Sequence, residues 1–395
     1  MAEATHLTQQ GQLQAATQAI QRALRHGSAN TLGAREAAAP SRSPGHVVHE
    51  GMVLDGYTRV VSDERGDAAV HDEKPSPTRD ARGSVQDAVQ PSRADTWAQP
   101  EQWLDADFTH QGRTLRYKLY IPPSASGSEA CARPMVMMLH GCTQNAADFA
   151  GGTQMNALAR QLGVVVLYPE QTQRANAQKC WNWFKPQHQQ RGRGEPALLA
   201  ALALSVAAQH KVDTRRIYVA GLSAGGAMAD IMGRCYPDVF AAVGVHSGLP
   251  TGAANDVVSA LAVMRNGAST SASASASATH SGAASRPTIV FHGDADHTVH
   301  VNNGAAIIEA ARAARGRDVD DTLLKQQQGQ SAAGQRYTRS VESDAAGTSH
   351  TEYWQLHGAG HAWSGGSPQG SYTNAGGVDA SREMLRFFLL HSRPH

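Results

Sequence analysis

The sequence lacks the features that mark several large classes of protein. Its formal net charge is +1 at pH 7, and a chain without a basic excess does not hold a nucleic acid or an anionic membrane through its field alone. No apolar run approaches the roughly eighteen residues that span a bilayer, which indicates a soluble protein. Four cysteines in 395 residues are too few for a disulfide scaffold and show no paired C-x-x-C spacing for zinc. We therefore expect neither a nucleic-acid partner nor a membrane partner, and no pattern indicates a protein partner.

Aromatic residues are also scarce, at 6% of the chain, and the first hundred residues contain only Tyr57 and Trp97. A segment with so few large apolar side chains buries little surface, so we predict a disordered linker over residues 26–105. Residues 1–25 are predicted to include an amphipathic helix, because apolar residues recur there at helical spacing. The remaining residues, 106–395, are enough for one substantial domain.

This C-terminal part alternates between short apolar runs and helical segments, which is typical of an α/β protein. Five apolar runs are predicted to be buried parallel strands at the centre of a sheet: 135–139, 164–168, 217–220, 241–245 and 288–291. Residues 116–121 alternate like an edge strand, and residues 352–356 add a further strand. Helices are predicted over residues 146–162, 195–210, 225–235 and 379–390. A Ser/Ala-rich run indicates a flexible surface insertion over residues 251–286.

Residues 221–225 read Gly-Leu-Ser-Ala-Gly, the one G-x-S-x-G match in the chain. A predicted strand runs into this match and a predicted helix runs out of it, as a nucleophile elbow requires. The glycines flank the serine because the turn is too sharp for side chains at those positions. We therefore predict that Ser223 is a nucleophile at the top of the sheet. The alternative is an ordinary glycine-rich turn.

A serine hydroxyl needs a base that is oriented by a third group, and in such hydrolases the acid and then the histidine follow the serine along the chain. The predicted strand over residues 288–291 is followed by Asp294 and Asp296. We favour Asp296 as the acid, because a residue further beyond the strand can turn its carboxylate toward the site. Asp294, next to a glycine, is more typical of a turn cap.

A glycine-rich loop after residues 352–356 contains His357 and His361. Functional groups of open α/β sheets gather at the carboxyl ends of the strands, so we predict His361 as the base. His357 lies closer to the strand and is predicted to be structural. The nearby His292, His297 and His300 match no zinc pattern, and we expect no metal and no organic cofactor.

The reaction also needs two backbone N–H groups that face the oxygen on which negative charge develops. Ala224, the residue after the nucleophile, provides one. The predicted strand over residues 135–139 ends in His-Gly, and Cys142 follows as the second donor. Cys142 would act through its backbone, and a role as a small buried residue or half of a disulfide is compatible with that.

Five motifs in the same order resemble the esterase branch of the poly(3-hydroxybutyrate) depolymerase family, α/β-hydrolases that include feruloyl and acetylxylan esterases. They are residues 139–144 (LHGCTQ), 179–184 (KCWNWF), 221–226 (GLSAGG), 291–296 (FHGDAD) and 360–363 (GHAW). The resemblance implies an α/β-hydrolase fold with a mostly parallel central sheet flanked by helices. It implies a triad and an oxyanion hole at the residues named above: Ser223, Asp296, His361, Cys142 and Ala224. It also implies that Cys142 pairs with Cys180.

Three tryptophans in or beside these motifs, Trp181, Trp183 and Trp363, are predicted to surround the substrate, with core packing as the alternative.

The predicted function is hydrolysis of carboxylic esters: poly(3-hydroxybutyrate), its oligomers or a related short-chain hydroxyacyl ester. The alternatives are a feruloyl or acetylxylan esterase and a non-catalytic hydrolase-like binding protein. The resemblance implies an extracellular or periplasmic location. The first ten residues lack the pattern of a Sec signal, so a cytoplasmic location is the alternative.

Overall fold

The computed structural model describes residues 97–125, 132–268, 286–315 and 323–394. The predicted helix over residues 1–25 and most of the predicted linker lie outside the described residues, and both stay predictions. The Ser/Ala run of the predicted insertion also lies outside them.

Strands and helices alternate along the described chain. The first elements are β1 (Trp97–Gln99), β2 (Gln102–His110), β3 (Arg113–Ile121) and β4 (Ser124–Ala125). The middle elements are β5 (Arg133–Leu139), α1 (Ala146–Thr153), α2 (Met155–Leu162), β6 (Val165–Glu170), α3 (Gly194–Gln209), β7 (Val212–Leu222), α4 (Ala224–Cys235), β8 (Ala242–His246) and α5 (Val257–Asn266). The last elements are β9 (Thr288–Gly293), α6 (Asn302–Ala314), β10 (Leu323–Gln330), β11 (Arg336–Ser343), β12 (Ser349–Leu356), β13 (Trp363–Ser364), β14 (Thr373–Asn374) and α7 (Ala380–Phe388).

One ten-stranded sheet organises this part of the chain, in the order β10-β11-β12-β9-β8-β7-β5-β6-β3-β2. The six strands from β12 to β6 are parallel, and antiparallel strands flank them on both sides. The five predicted central strands are β5 to β9, so the predicted α/β architecture is confirmed. Because their carboxyl ends meet at one edge of the sheet, the loops after β5, β7, β9 and β12 lie along the same edge.

The central strands are buried on both faces, and each face packs against helices. Met137 of β5 belongs to the core layer that contains Leu199 of α3 and Met228 of α4. Its neighbour Met138 points to the opposite layer, which contains Phe387 of α7. Each fully buried side chain of this size contributes about 1.5–3 kcal/mol relative to exposure, so the double layer holds the strands rigidly under the loops. In the described ranges no helix is long and apolar enough to cross a membrane.

Several boundaries differ from the sequence predictions. The predicted helix over residues 146–162 is two helices, because Gln154 adopts a left-handed conformation (φ 55°) that ends α1 before α2 begins. The last residues of the predicted linker lie in β1 and β2, so the sheet begins before residue 106. Residues 116–121, predicted to form an edge strand, lie in β3. Because β2 pairs with the outer side of β3, β3 is not an edge strand.

Four further elements were not predicted from the sequence. β10 and β11 form an antiparallel hairpin at the sheet edge, and β10 has an almost wholly exposed sequence rich in glutamine. α6 was also missed. α5 lies inside the predicted flexible insertion, where Asp256 and Ser259 form a capping box that starts the helix. The insertion is therefore partly helical, at residues 257–266.

Candidate active site

Ser223 occupies the sharp turn between β7 and α4, with φ 58° and ψ −121°. A non-glycine residue in this region costs roughly 1–3 kcal/mol, so the surrounding packing must enforce the geometry. A β-carbon on Gly225 would collide with the carbonyl oxygen of Leu139, and one on Gly221 would collide with the backbone of Gly225. The Ser223 amide also donates to the carbonyl of His246 at 2.9 Å. The strand, turn and helix that the sequence predicts around Ser223 are thus present.

Asp296 and His361 lie on the loops after β9 and β12, which are neighbouring parallel strands. Asp296 Oδ2 accepts a hydrogen bond from His361 Nδ1 at 2.7 Å. Its other oxygen accepts from the amides of Thr298 and Val299 at 2.9 and 2.8 Å. With Nδ1 donating, the neutral imidazole carries its acceptor lone pair on Nε2. The pair therefore presents a base whose orientation is fixed by a carboxylate.

The side chain of Asp296 is fully buried. Burial by itself raises the pKa of this carboxyl, but the hydrogen bond and charge of His361 and the amide of Val299 together lower the pKa below its ordinary value of 3.8. The group is consequently an anion at neutral pH. A buried anion at Nδ1 favours the imidazolium that forms when Nε2 accepts a proton.

The turn over residues 141–144, here called the oxyanion turn, lies against the nucleophile. A β-carbon on Gly141 would be 3.6 Å from Cβ of Ser223. Gly141 N donates to Gln144 Oε1 at 2.9 Å, and Thr143 N donates to the Gln178 carbonyl at 2.7 Å. The bonds described for this turn thus engage the amides on both sides of Cys142 and leave the Cys142 amide out.

Ala224 is the first residue of α4, where backbone N–H groups have no acceptor within the helix. Its amide and that of Cys142 are the two donors that the sequence predicts. Both lie on segments that pack against Ser223. The helix N-terminus also favours negative charge at this point.

Cys142 and Cys180 form a disulfide, the pairing that the family resemblance implies. The bond ties the oxyanion turn to the segment that follows β6. The buried Glu195 of α3 also holds this segment, because its carboxylate accepts hydrogen bonds from Asn182 N at 2.8 Å and from Asn182 Nδ2 at 2.6 Å. Gln171 Nε2 donates to the same carboxylate at 2.7 Å.

The sequence predictions missed Glu195. The available signal was a single acidic residue in an otherwise apolar helix, since a buried carboxylate is found almost only where hydrogen bonds satisfy it. Burial raises the pKa of Glu195, but its hydrogen bonds and the charge of His188 outweigh burial, so the pKa is lowered overall. The group is therefore an anion that fixes the segment next to the disulfide.

The three tryptophans do not surround the site. Trp181, Trp183 and Trp363 are 0%, 6% and 1% exposed and belong to the two core layers. Trp181 Nε1 donates to the His140 carbonyl at 3.1 Å, and Trp363 Nε1 donates to Ser381 Oγ at 3.0 Å. Indole rings bury large areas and need one hydrogen-bond acceptor, and both requirements are met here inside the protein. The prediction that these rings contact substrate is wrong, and they pack under the loops instead.

Three buried histidines near the site are structural. Burial lowers the pKa of His140 and His292 to about 4 and the pKa of His246 to about 3. His140 Nε2 accepts from the Gln171 amide at 3.0 Å, and His246 Nε2 accepts from the Ser364 amide at 3.0 Å. These rings are neutral at pH 7 and fix the surrounding loops. Among the described residues, no group of three or more His, Cys, Asp or Glu side chains is arranged to hold a metal.

A second carboxylate–imidazole pair lies in the same two loops. Asp294 Oδ2 pairs with His357 Nδ1 at 2.8 Å, and Asp294 Oδ1 accepts from the Gly358 amide at 2.6 Å. His357 Nε2 is hydrogen-bonded to Thr338 Oγ1 of β11 at 2.8 Å. The prediction of a structural role for His357 agrees with these contacts. The carboxylate of Asp294 binds the histidine loop rather than its own turn, so the contacts join the acid loop, the histidine loop and β11.

With this geometry established, comparison with known proteins identifies the family. The sequence pattern of the Esterase PHB depolymerase family matches residues 115–317, about half of the chain. The chain belongs to this family. The sheet order and the strand–turn–helix at Ser223 are those of its α/β-hydrolase fold.

Two curated relatives show the range of this esterase family. The chain is 33% identical over 262 residues to poly(3-hydroxyalkanoate) depolymerase C of Paucimonas lemoignei, covering 64% of this chain and 59% of that protein. It is 31% identical over 136 residues to feruloyl esterase B of Neurospora crassa, covering 34% of this chain and 44% of that protein. The chain therefore spans less than two thirds of either relative.

A solved acetyl xylan esterase from Aspergillus awamori shares the fold. It is 20% identical, with a TM-score of 0.57, and the match covers 73% of this chain and 99% of that one. At this level of identity the likeness concerns the fold alone.

Proposed function

We propose that this chain hydrolyses carboxylic esters through an acyl-enzyme formed on Ser223. The observation that carries the proposal is the hydrogen bond between buried Asp296 and His361, at the sheet edge where the elbow holds Ser223. Membership of an esterase family supports the same reaction class. No step requires a metal or an organic cofactor.

In the proposed mechanism, Nε2 of His361 takes the proton of Ser223 as Oγ attacks the ester carbonyl carbon. Asp296 stabilises the imidazolium, and the amides of Ala224 and Cys142 donate to the oxyanion. The tetrahedral intermediate collapses, and His361 gives its proton to the departing alkoxide. Water then attacks the acyl-enzyme with His361 again as base, which releases the acid and restores Ser223.

The proposed substrate is poly(3-hydroxybutyrate), its oligomers or a related short-chain hydroxyacyl ester. Of the two relatives above, the one matched over more residues is named as a poly(3-hydroxyalkanoate) depolymerase. This match favours a hydroxyacyl ester as the substrate. The match to a protein named as a feruloyl esterase supports a second candidate, a feruloyl or acetyl ester of plant polysaccharide.

The decisive experiment is Ser223→Ala, assayed with p-nitrophenyl butyrate. We expect kcat to fall by about 10⁴-fold or more, with an unchanged circular dichroism spectrum, because the nucleophile acts as a unit with its base. Ser205→Ala, on α3 away from the site, is the matched control and should keep full activity.

A fluorophosphonate probe tests the non-catalytic alternative. The wild-type protein should be labelled and Ser223→Ala should not be, whereas a binding protein without an active serine would show no labelling in either form. Parallel assays on hydroxybutyrate trimer, polymer granules and methyl ferulate then separate the substrate classes. Undiminished turnover by Ser223→Ala would overturn the assignment.

A further inference from the structure

Tyr372 is an exposed aromatic residue beside the oxyanion turn. Its hydroxyl lies 3.2 Å from Thr143 Oγ1, and Thr143 immediately follows the predicted oxyanion donor Cys142. The Thr143 hydroxyl in turn donates to the Cys142 carbonyl at 2.6 Å. Tyr372 therefore donates into a short hydrogen-bonded chain that ends on the backbone of the oxyanion turn.

The backbone at this position is strained. Tyr372 has φ 52° and Thr143 has φ 67°, both in the left-handed region that bulky or β-branched residues rarely adopt. Such conformations are energetically unfavourable and persist where the surrounding structure enforces them, most often at functional sites. Glycine would occupy the position of Tyr372 without strain. The tyrosine side chain must therefore provide another benefit that offsets the cost of its backbone conformation.

The surrounding loop is anchored to the site on both sides of Tyr372. Ser371 Oγ donates to Asp148 Oδ2 at 2.6 Å, and Gln144 Nε2 donates to the Ser371 carbonyl at 3.0 Å. The Trp363 amide donates to the Tyr372 carbonyl at 2.7 Å. Since Gln144 belongs to the oxyanion turn and Trp363 lies two residues beyond His361, the backbone at Tyr372 is held between these two segments.

The ring itself remains uncovered. Tyr372 is 45% exposed, whereas all three tryptophans predicted to contact substrate are buried. Among the described residues the other exposed large aromatic side chain is Trp103, 42% exposed, on β2 at the far side of the sheet. Tyr372 is thus an exposed aromatic side chain beside the oxyanion turn in the described part of the chain.

We propose that the ring of Tyr372 is the wall against which the apolar part of the ester packs next to the scissile carbonyl, which makes Tyr372 a specificity-determining residue. This inference rests on the proposed esterase function and names the contact that the three tryptophans do not make. The ligand class is an ester with an apolar acyl chain or a planar ring beside the carbonyl. The hydrogen bond to Thr143 fixes the ring before substrate binds, which limits the entropy lost on binding.

The test measures kcat and KM of Tyr372→Ala on two ester series: p-nitrophenyl acetate, butyrate and hexanoate, and butyrate esters of methanol, benzyl alcohol and p-nitrophenol. We expect kcat/KM to fall by about tenfold for the larger esters in at least one series, through KM, and by less than about twofold for the smallest, because the smallest esters have little apolar surface to pack against the ring. Tyr372→Phe keeps the ring and should stay within about threefold of wild type.

Two controls keep the outcome interpretable. Trp103→Ala removes an equally exposed aromatic ring far from the site and should leave the selectivity unchanged. Tyr372→Gly removes the ring and relieves the backbone strain, so it should fold at least as well as Tyr372→Ala and show the same change in KM.

The failures of this inference and of the proposed function differ. If wild-type Ser223 is not labelled by a fluorophosphonate, the esterase proposal fails. If Ser223 is labelled and the wild-type protein is active, but Tyr372→Ala and Tyr372→Gly keep the wild-type KM across both series, the role of Tyr372 alone is overturned.

Discussion

Two carboxylate–imidazole pairs lie side by side in the same two loops, and the proposed mechanism uses only one of them. Asp296–His361 and Asp294–His357 have nearly equal hydrogen bonds, at 2.7 and 2.8 Å. The first carboxylate is fully buried, whereas the second is about a third exposed. Thr338 binds Nε2 of His357, whereas Nε2 of His361 is the nitrogen that the proposed mechanism assigns to Ser223.

Under the proposed mechanism, a paired carboxylate and histidine do not by themselves make a catalytic base. The pKa of both aspartates is lowered, because hydrogen bonds and the charge of the histidine outweigh the effect of burial in each. The direction of the pKa shift therefore does not separate the pairs. Burial of the acid and the identity of the third partner do, since Thr338 turns the second pair into a brace between loops and β11.

The largest expected contrast is in turnover. Asp296→Asn should lower kcat for p-nitrophenyl butyrate by about 10⁴-fold, because an amide at this position favours the wrong imidazole tautomer. Asp294→Asn is the matched control and should retain activity within about threefold, since its partner does not act on Ser223. Equal losses in the two variants would mean that both pairs take part in the chemistry.

The next contrast is in stability. His357→Ala should lower the free energy of unfolding by about 1 kcal/mol, because it removes hydrogen bonds to Asp294 and Thr338 that solvent partly screens. Urea denaturation followed by tryptophan fluorescence measures this change, with activity recorded in the same samples. A stable His357→Ala variant with strongly reduced kcat would contradict the assignment of this pair as a brace.

The smallest contrast is in acid sensitivity. A folded-state pKa below the ordinary 3.8 stabilises the protein above that value, and this contribution is lost as the pH falls through the lowered pKa. The urea midpoint of the wild-type protein should therefore decrease as the pH is lowered below about 4. The slope of the urea midpoint against pH should be shallower in Asp296→Asn, which removes the buried carboxylate. The slope should change less in Asp294→Asn. Identical slopes in all three proteins would contradict the difference in burial.

The sequence is enough to predict the centre of the fold, because β5, β8 and the other inner strands are apolar on both faces and bounded by turns. The edges are not predictable in this way. β10 has no apolar alternation, and its pairing with β11 depends on neighbours rather than on its own residues. The break at Gln154 has a glutamine rather than a glycine at the left-handed position, and the nearby pair Gly151 and Gly152 does not specify which residue ends the helix.

The candidate site also has parts that the sequence predicts and parts that it does not. The elbow at Ser223 is predictable because crowding by the backbone admits only glycine at two nearby positions. The burial of Trp181 and Trp363 is not, because a motif does not specify which way an indole ring points. Tyr372 contacts Thr143 across 229 residues of sequence, and only the folded sheet brings these positions together.

The disulfide between Cys142 and Cys180 makes the oxyanion turn responsive to the redox state of its surroundings. A thiol reductant would remove the covalent bond between this turn and the neighbouring segment, leave the hydrogen bond from Thr143 N to the Gln178 carbonyl, and not alter Ser223, Asp296 or His361. A reduced preparation would then keep the proposed nucleophile, Ser223, in place while the backbone of Cys142, a proposed oxyanion donor, loses one of its restraints. Any comparison of rates between preparations of this protein is meaningful only when the oxidation state of these two cysteines has been matched.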